Sequence, residues 1–247
     1  MSLASTLRPE SYEEFAFLYS RTMAEDFCRR AFPLYRELLH TDLQPCCRML
    51  DICCGSGQLA REFTAFGHRV TGFDSSREMI RLARSAAPSA SFFVGDARNF
   101  HLTHKFSAAL SSFNSLAHAT QVEDLLKIFA CTRQALAPGA AFVFDVSMEE
   151  AYRSRWHGTF SLAVEEFTFT VEPSFDSQTR IACNKIRVFN RKAAGYENCF
   201  SIYQRCHTEN DLREMLQLAR FREVESWEAE DQLGMADERG RRFFRCR

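Results

Sequence analysis

Lysine is almost absent from this chain: only four of its 31 basic residues are lysine, at positions 105, 127, 185 and 192. The 31 basic residues meet 32 acidic ones, so neither sign of charge is in excess. A nucleic-acid partner calls for a basic face, and no basic stripe interleaved with aromatics is present, so no nucleic acid is expected. No apolar run approaches the roughly 18 residues that span a bilayer, and no signal-type apolar stretch lies near residue 1. A soluble, cytoplasmic protein with no membrane partner is expected. The ten cysteines show no C-x-x-C spacing. Cys46-Cys47 and Cys53-Cys54 are vicinal, which is poor geometry for two ligands on one ion. The cysteines therefore read as small buried apolar groups in a reducing compartment, and no metal is expected. Repeats and low-complexity segments are missing too. What remains is an ordinary globular composition, 46% apolar over 247 residues, enough for one large domain with a sizeable core.

The stretch from Met49 to Ala60, MLDICCGSGQLA, carries the most information. An apolar run ends in Asp51, enters a small-residue turn and opens a helix. Gly55 and Gly57 let backbone approach a ligand with no Cβ in the way, and the helix start offers unpaired N–H groups. Such a turn is a nucleotide-type cofactor site in open α/β sheets. Gly55-x-Gly57-x-x-Ala60 also fits the dinucleotide pattern, with Asp74 roughly 20 residues on, so a dinucleotide oxidoreductase stays open. Asp51 discriminates. A pyrophosphate loop does not want a carboxylate there, whereas a phosphate-free cofactor with an ammonium group does, and S-adenosylmethionine is one.

Two further strands end in acids. Residues 68–74 run to Asp74, then Ser75-Ser76 offers a serine helix cap, with Ser75 expected at the cofactor, and a carboxylate at that tip can accept both ribose hydroxyls. Met79, near the start of the next helix, is placed to pack on an adenine face. Residues 91–96 run to Asp96, which can accept an adenine amino group while the Ala97 N–H reaches a ring nitrogen. In a doubly wound sheet the three tips share one rim.

With LDICCGSG at 50–57, VTGFDSS at 70–76, FVGDAR at 93–98 and LAPGAAFVFDV at 136–146, the chain resembles the class I S-adenosylmethionine-dependent methyltransferases. YEEFAFLY at 12–19 and FNSLAH at 113–118 are similar to segments of YqeM-like and sugar N,N-dimethyltransferases. The resemblance covers most of the chain. It implies a doubly wound, seven-stranded mixed sheet of the Rossmann-like α/β class, with a β-rich insertion before the last helix. It also implies that Tyr19 faces the cofactor and that Ser112, at the fourth strand's tip, joins the site. Two departures stand out. Cys53 replaces a usual Gly or Ala and can crowd the methionine end of the cofactor, and Ser20 replaces a usual Asp.

The organisation follows. Residues 10–43 read as one or two lid helices with Phe15, Leu18, Tyr19, Met23 and Phe27 at helical spacing and Pro33 at a helix start. Residues 46–150 alternate strands and helices, with Gly67 as a helix stop and Pro138-Gly139 turning into a fifth strand at 140–146. Residues 158–206 read as three antiparallel strands over the acceptor site, beginning with one long run over 160–175. Residues 207–247 read as a Thr208-capped helix and a closing hairpin.

Methyl transfer needs alignment more than acid–base chemistry, so a missing dyad is no objection. His118 is the candidate base, against a capping or orienting role. Asp145 could reach the pocket or be satisfied by local backbone. Arg155, Trp156 and His157, then Tyr203 and Arg205, could line a substrate pocket or be plain connecting structure. The run Arg241-Arg242-x-x-Arg245-x-Arg247 could hold phosphate or simply flank a strand. The position after the fourth strand lacks the Pro-Pro loop of adenine methylases. The expected reaction is transfer to N or O of a small-molecule acceptor by a monomer or homodimer. An RNA or protein methyltransferase, an NAD-dependent oxidoreductase and a non-catalytic cofactor binder are the alternatives.

Overall fold

The computed structural model describes residues 9–192 and 195–247, with side chains for all of these except 9–12, 14 and 195–197. Two helices lead, α1 (Pro9–Thr22) and α2 (Ala24–Leu39). Pro33 does not start a helix; it lies inside α2. Phe27, Cys28, Ala31, Tyr35 and Leu39 form one buried stripe on both sides of it. That packing outweighs the roughly 3 kcal/mol an interior proline costs.

An alternating run follows: β1 (Arg48–Ile52), α3 (Gln58–Ala65), β2 (Arg69–Asp74), α4 (Arg77–Ala86), β3 (Ser91–Val94) and β4 (Phe106–Ser111). It continues through α5 (Val122–Ala135), β5 (Leu136–Ser147) and α6 (Glu149–Arg155). Pro138 and Gly139 do not precede the fifth strand. They sit within the start of β5, where its register against β4 shifts. The chain ends with α7 (Glu209–Leu218), β10 (Val224–Glu228) and β11 (Arg241–Cys246).

The main sheet has seven strands in the order β10-β11-β5-β4-β1-β2-β3. The five strands from β5 to β3 are parallel, and β11 runs antiparallel to β5 and to β10. Helices cover both faces, so the central strands are buried on both sides and mostly apolar; β5 is buried continuously from Ala140 to Ser147. On one face Phe129, Phe142, Phe144 and Phe244 pack together, with Phe144 stacked on Phe244 at 5.1 Å. On the other lie Tyr35, Phe63 and Phe243. The strand order reverses between β1 and β4, and a crevice forms outside the carboxyl ends of parallel strands at such a switch point.

Before α7 comes a second sheet of four antiparallel strands, not three: β6 (Phe160–Val164), β7 (Phe167–Asp176), β8 (Ile181–Asn190) and β9 (Gly195–Arg205). The run 160–175 is broken at Glu165-Glu166, where Glu165 takes φ +51° and Val164 pairs with Phe167 across a two-residue turn. Neither glutamate is a typical turn residue, which hid the hairpin. The sheet's apolar face, with Phe169, Val171, Ile186, Val188, Phe200 and Ile202, packs on Leu18 of α1. Phe17 stacks on Phe169 at 6.1 Å beside it.

Helix α7 is framed at both ends. Thr208 and Asp211 form a reciprocal capping box. At the other end the Phe221 N–H bonds Leu216 O at 2.9 Å and the Arg220 N–H bonds Gln217 O at 2.9 Å. This is the Schellman arrangement, and it puts Arg220 at φ +71° where glycine is usual.

Candidate cofactor and acceptor site

The turn after β1 is strongly left-handed: Cys53, Gly55 and Gly57 have φ of +55°, +51° and +84°. The two glycines serve neighbours in the fold. A Cβ on Gly57 would lie 2.9 Å from Ala83 Cα, so its absence lets α3 start against α4. A Cβ on Gly55 would lie 3.3 Å from the Tyr19 ring, so this position brings the turn under α1.

The tip of β2 locks the turn. Asp74 accepts the Gly55 N–H at 3.1 Å and the Ser76 N–H at 3.0 Å. Burial raises its pKa, while those N–H bonds oppose the shift. Ser76 caps α4, accepting the Met79 N–H at 3.1 Å. Glu13 of α1 accepts the Arg77 and Glu78 N–H groups at 2.8 and 2.7 Å. The first helix is thereby fastened across the open end of α4.

A cavity of about 670 Å³ runs from this turn to the tip of β4. Its wall includes Tyr19, Cys53, Gly55, Asp74, Ser75, Met79, Asp96, Ala97, Ser112 and His118. Asp51 and Gly57 stand behind it. Asp51 is 1% exposed, and its Oδ1 has no hydrogen-bond partner among the described residues. Burial first, and then the charge of Asp74, push its pKa well above the ordinary value. Burial followed by Asp74 and Asp51 likewise raises the Cys53 thiol, which stays protonated and is no nucleophile.

Several wall residues were not foreseen. Phe15 and Phe113 flank Tyr19, whose ring lies 5.8 and 5.4 Å from theirs. Gln121, Asp124 and Ile128 line the wall from α5 and its cap, at a helical spacing that could have been found. Arg98 bonds both carboxylate oxygens of Asp96, at 2.9 and 2.6 Å, and Asp124 at 3.0 Å. The Arg98 hydrogen bonds hold Asp96 below the usual carboxylate range. Asp96 therefore faces the cavity as a paired, ionised group.

His118 closes the far wall. Its Nδ1 lies 3.1 Å from the Tyr203 carbonyl and its Nε2 3.2 Å from the Gln204 amide nitrogen. Donation from Nδ1 to the carbonyl leaves Nε2 accepting from Gln204. Burial lowers its pKa to about 4. The ring is neutral at physiological pH and both nitrogens are engaged, which suits orientation better than proton abstraction. Gln204 Oε1 accepts in turn from Asn114 at 2.9 Å and Tyr152 at 3.1 Å.

Asp145 does not reach the cavity. It is fully buried and accepts the Phe113 N–H at 2.7 Å, the Asn114 N–H at 3.0 Å, the Tyr35 hydroxyl at 2.6 Å and the Arg241 guanidinium. Its work is to hold the loop after β4, where Phe113 and Asn114 take φ of +58° and +60°. Arg155, Trp156 and His157 lie off the cavity wall, with Arg155 bonded to Glu238 and His157 to the Ser154 carbonyl. Tyr203 touches His118 through its carbonyl, and Arg205 bonds the Thr120 carbonyl at 3.2 Å. The C-terminal arginines are paired: Arg241 with Asp145 and Glu238, Arg242 with Glu209, Arg245 and Arg247 with Asp42. Among the described residues no group of three or more His, Cys, Asp or Glu could hold a metal, and no helix is long and apolar enough to cross a membrane.

A row of aspartates with one buried carboxylate lacking a partner suits a ligand that brings a positive charge and hydroxyls. The methyltransferase domain family matches residues 49–139. Over 97 residues the chain is 34% identical to a dTDP-3-amino-3,4,6-trideoxy-alpha-D-glucopyranose N,N-dimethyltransferase of Streptomyces venezuelae, covering 39% of this chain and 41% of that one. It is 26% identical over 139 residues to YqeM of Bacillus subtilis, covering 55% of each. The matches span only about half of the curated relatives' length. The crystal structure of an S-adenosylmethionine-dependent methyltransferase from Clostridium acetobutylicum superposes with a TM-score of 0.78 at 18% identity, covering 96% of this chain and 98% of that one. A methyltransferase domain family thus matches residues 49–139, and along nearly its whole length the chain shares its fold with that solved structure.

Proposed function

We propose that the protein moves a methyl group from S-adenosylmethionine to a nitrogen of a small-molecule amine. The observation that carries this reading is the unpartnered Oδ1 of buried Asp51 behind a left-handed turn. A carboxylate so placed is stabilised by an incoming ammonium and disfavoured by a pyrophosphate, which separates this reading from a dinucleotide enzyme. Asp51 would face the ammonium end and Asp74 the ribose hydroxyls. Met79, Asp96 and Ala97 would hold the adenine, and Cys53, Gly55, Tyr19, Ser75 and Ser112 would close around them. When bound, the cofactor supplies an electrophilic methyl carbon. The chain's own part is to orient the acceptor and exclude water, which by itself can lower a barrier by about 7–11 kcal/mol at best.

The acceptor would enter between the aromatic face of Phe15, Tyr19 and Phe113 and the wall formed by His118 and Gln121. The helices within 10–43 and the strands within 158–206 would act as the lid, and 207–247 as the closing unit. An amine acceptor is favoured over a hydroxyl because the Streptomyces venezuelae relative is named for dimethylation of an amino sugar. It is favoured also because no base is required once the amine is uncharged. Thermal unfolding with added ligands tests the reading. S-adenosylhomocysteine should raise the melting temperature and NAD should not; the reverse would overturn it. Methylation of RNA or protein in place of small amines, with the cofactor bound, would overturn the acceptor class alone.

A further inference from the structure

A second cavity, of about 890 Å³, lies at the opposite end of the main sheet from the crevice. It forms where α5 and α7 end, β5 begins, β10 enters and β11 finishes. Four arginines line it, Arg133, Arg220, Arg222 and Arg247, against one carboxylate, Glu223. Arg247 is shared with Asp42 at 3.0 Å and lies 3.8 Å from Glu223. The Arg133 guanidinium reaches the Ala137 carbonyl at 3.4 Å and the Phe221 ring centroid at 5.8 Å. Arg220 and Arg222 are exposed, and among the described residues their side chains have no ion pair or hydrogen bond. The Lys105 ammonium, on the Gln134 carbonyl at the rim, adds one more cation.

Some of this chain's arginines are closely paired, as at Arg61, Arg98 and Arg241, while others, such as Arg48 and Arg69, are exposed with no ion pair among the described residues. Here Arg220 and Arg222 stand beside Arg133 and the Asp42-paired Arg247, with Glu223 as the carboxylate of the lining. Helix dipoles favour cations at the ends of α5 and α7, which accounts for Arg133 and Arg220. They do not account for Arg222, which comes from a strand end; Arg247 is held by Asp42. Nor do they explain why an arginine stands at the left-handed position after α7, where glycine would be unstrained.

We propose that this cavity is a second ligand site, for a small molecule bearing a phosphate or diphosphate group. Guanidinium forks match phosphate oxygens in pairs, and the volume falls within the range of about 300–1,000 Å³ of small-molecule sites. The proposal is independent of the methyl-transfer reading.

Titration calorimetry on the full chain tests it, with inorganic pyrophosphate and inorganic phosphate as probes against sodium chloride at matched ionic strength. The expected result is saturable one-to-one binding, tighter for pyrophosphate. Arg220→Gly and Arg222→Gln should each weaken it tenfold or more, while S-adenosylhomocysteine affinity stays within twofold. Arg220→Gly suits the backbone at that position, so a folded variant is expected, and circular dichroism checks it. Absence of saturable heat, or binding unchanged in the double variant, overturns the site. Joint loss of pyrophosphate and S-adenosylhomocysteine binding would place the anion in the other crevice and overturn it too. Displacement of pyrophosphate by a short RNA at lower concentration would overturn the small-molecule assignment.

Discussion

Cofactor affinity should depend on pH through Asp51. The free protein buries this carboxyl at 1% exposure with Oδ1 unpartnered, so ionising it is unfavourable. Burial, and then Asp74, hold its pKa well above the usual range. A bound ammonium supplies the missing counter-charge and draws the pKa down. Below the free-state pKa the group carries a proton that must leave on binding; above it the carboxylate is ready. Affinity therefore rises with pH through that range. Each pH unit within it changes the dissociation constant by up to tenfold, about 1.4 kcal/mol. Stability of the free protein runs the other way. The folded pKa exceeds the unfolded one, so between the two values the native state holds more protons and stability falls as pH rises. Asp51→Asn removes both effects. The variant should bind S-adenosylhomocysteine weakly and with little pH dependence, yet melt at a higher temperature than the parent at neutral pH. Calorimetry in two buffers of different ionisation heat, between about pH 5 and 8 where the ligand's own groups keep one charge state, counts the protons released. Binding with no proton release, together with parental affinity in Asp51→Asn, would refute the reasoning.

Other substitutions probe neighbouring parts of the site. Asp74→Ala should lose two hydrogen bonds to charge, about 1.5 kcal/mol each at the low end, or about a hundredfold in S-adenosylhomocysteine affinity by calorimetry. Asp145→Ala leaves buried Arg241 without a main partner and frees the loop at Phe113. Urea unfolding should show a loss of about 3–5 kcal/mol, and an unchanged midpoint would remove Asp145 from its structural role. The pH–rate profile should show no imidazole inflection near pH 6.5, because burial holds His118 at about 4. An inflection there that vanishes in His118→Asn would restore the histidine as a base.

The central fold was legible because parallel strands buried on both faces are short, apolar and punctuated by acids and glycines at their tips. Asp51, Asp74 and Asp96 were readable as a set for that reason. What local pattern could not show were partners far away in sequence. Asp145 looks like any strand-end acid until Arg241, 96 residues on, arrives beside it. Arg98 is an ordinary exposed arginine beside Asp96 until Asp124, 26 residues on, joins the pair. The glycine at 57 looks like a ligand contact, yet its missing Cβ makes room for Ala83. The extra strand was hidden because two glutamates form its turn.

The seam between the two sheets has an evolutionary consequence. Gln204, on the last strand of the smaller sheet, is bonded at once to His118, Asn114 and Tyr152. Acceptor preference can then drift by changing the wall residues around this joint, while the glutamine amide itself stays put. A descendant recruited to a new amine would be expected to retain positions 114, 118, 152 and 204 as a block, and to vary Phe15, Thr120 and Gln121 one at a time.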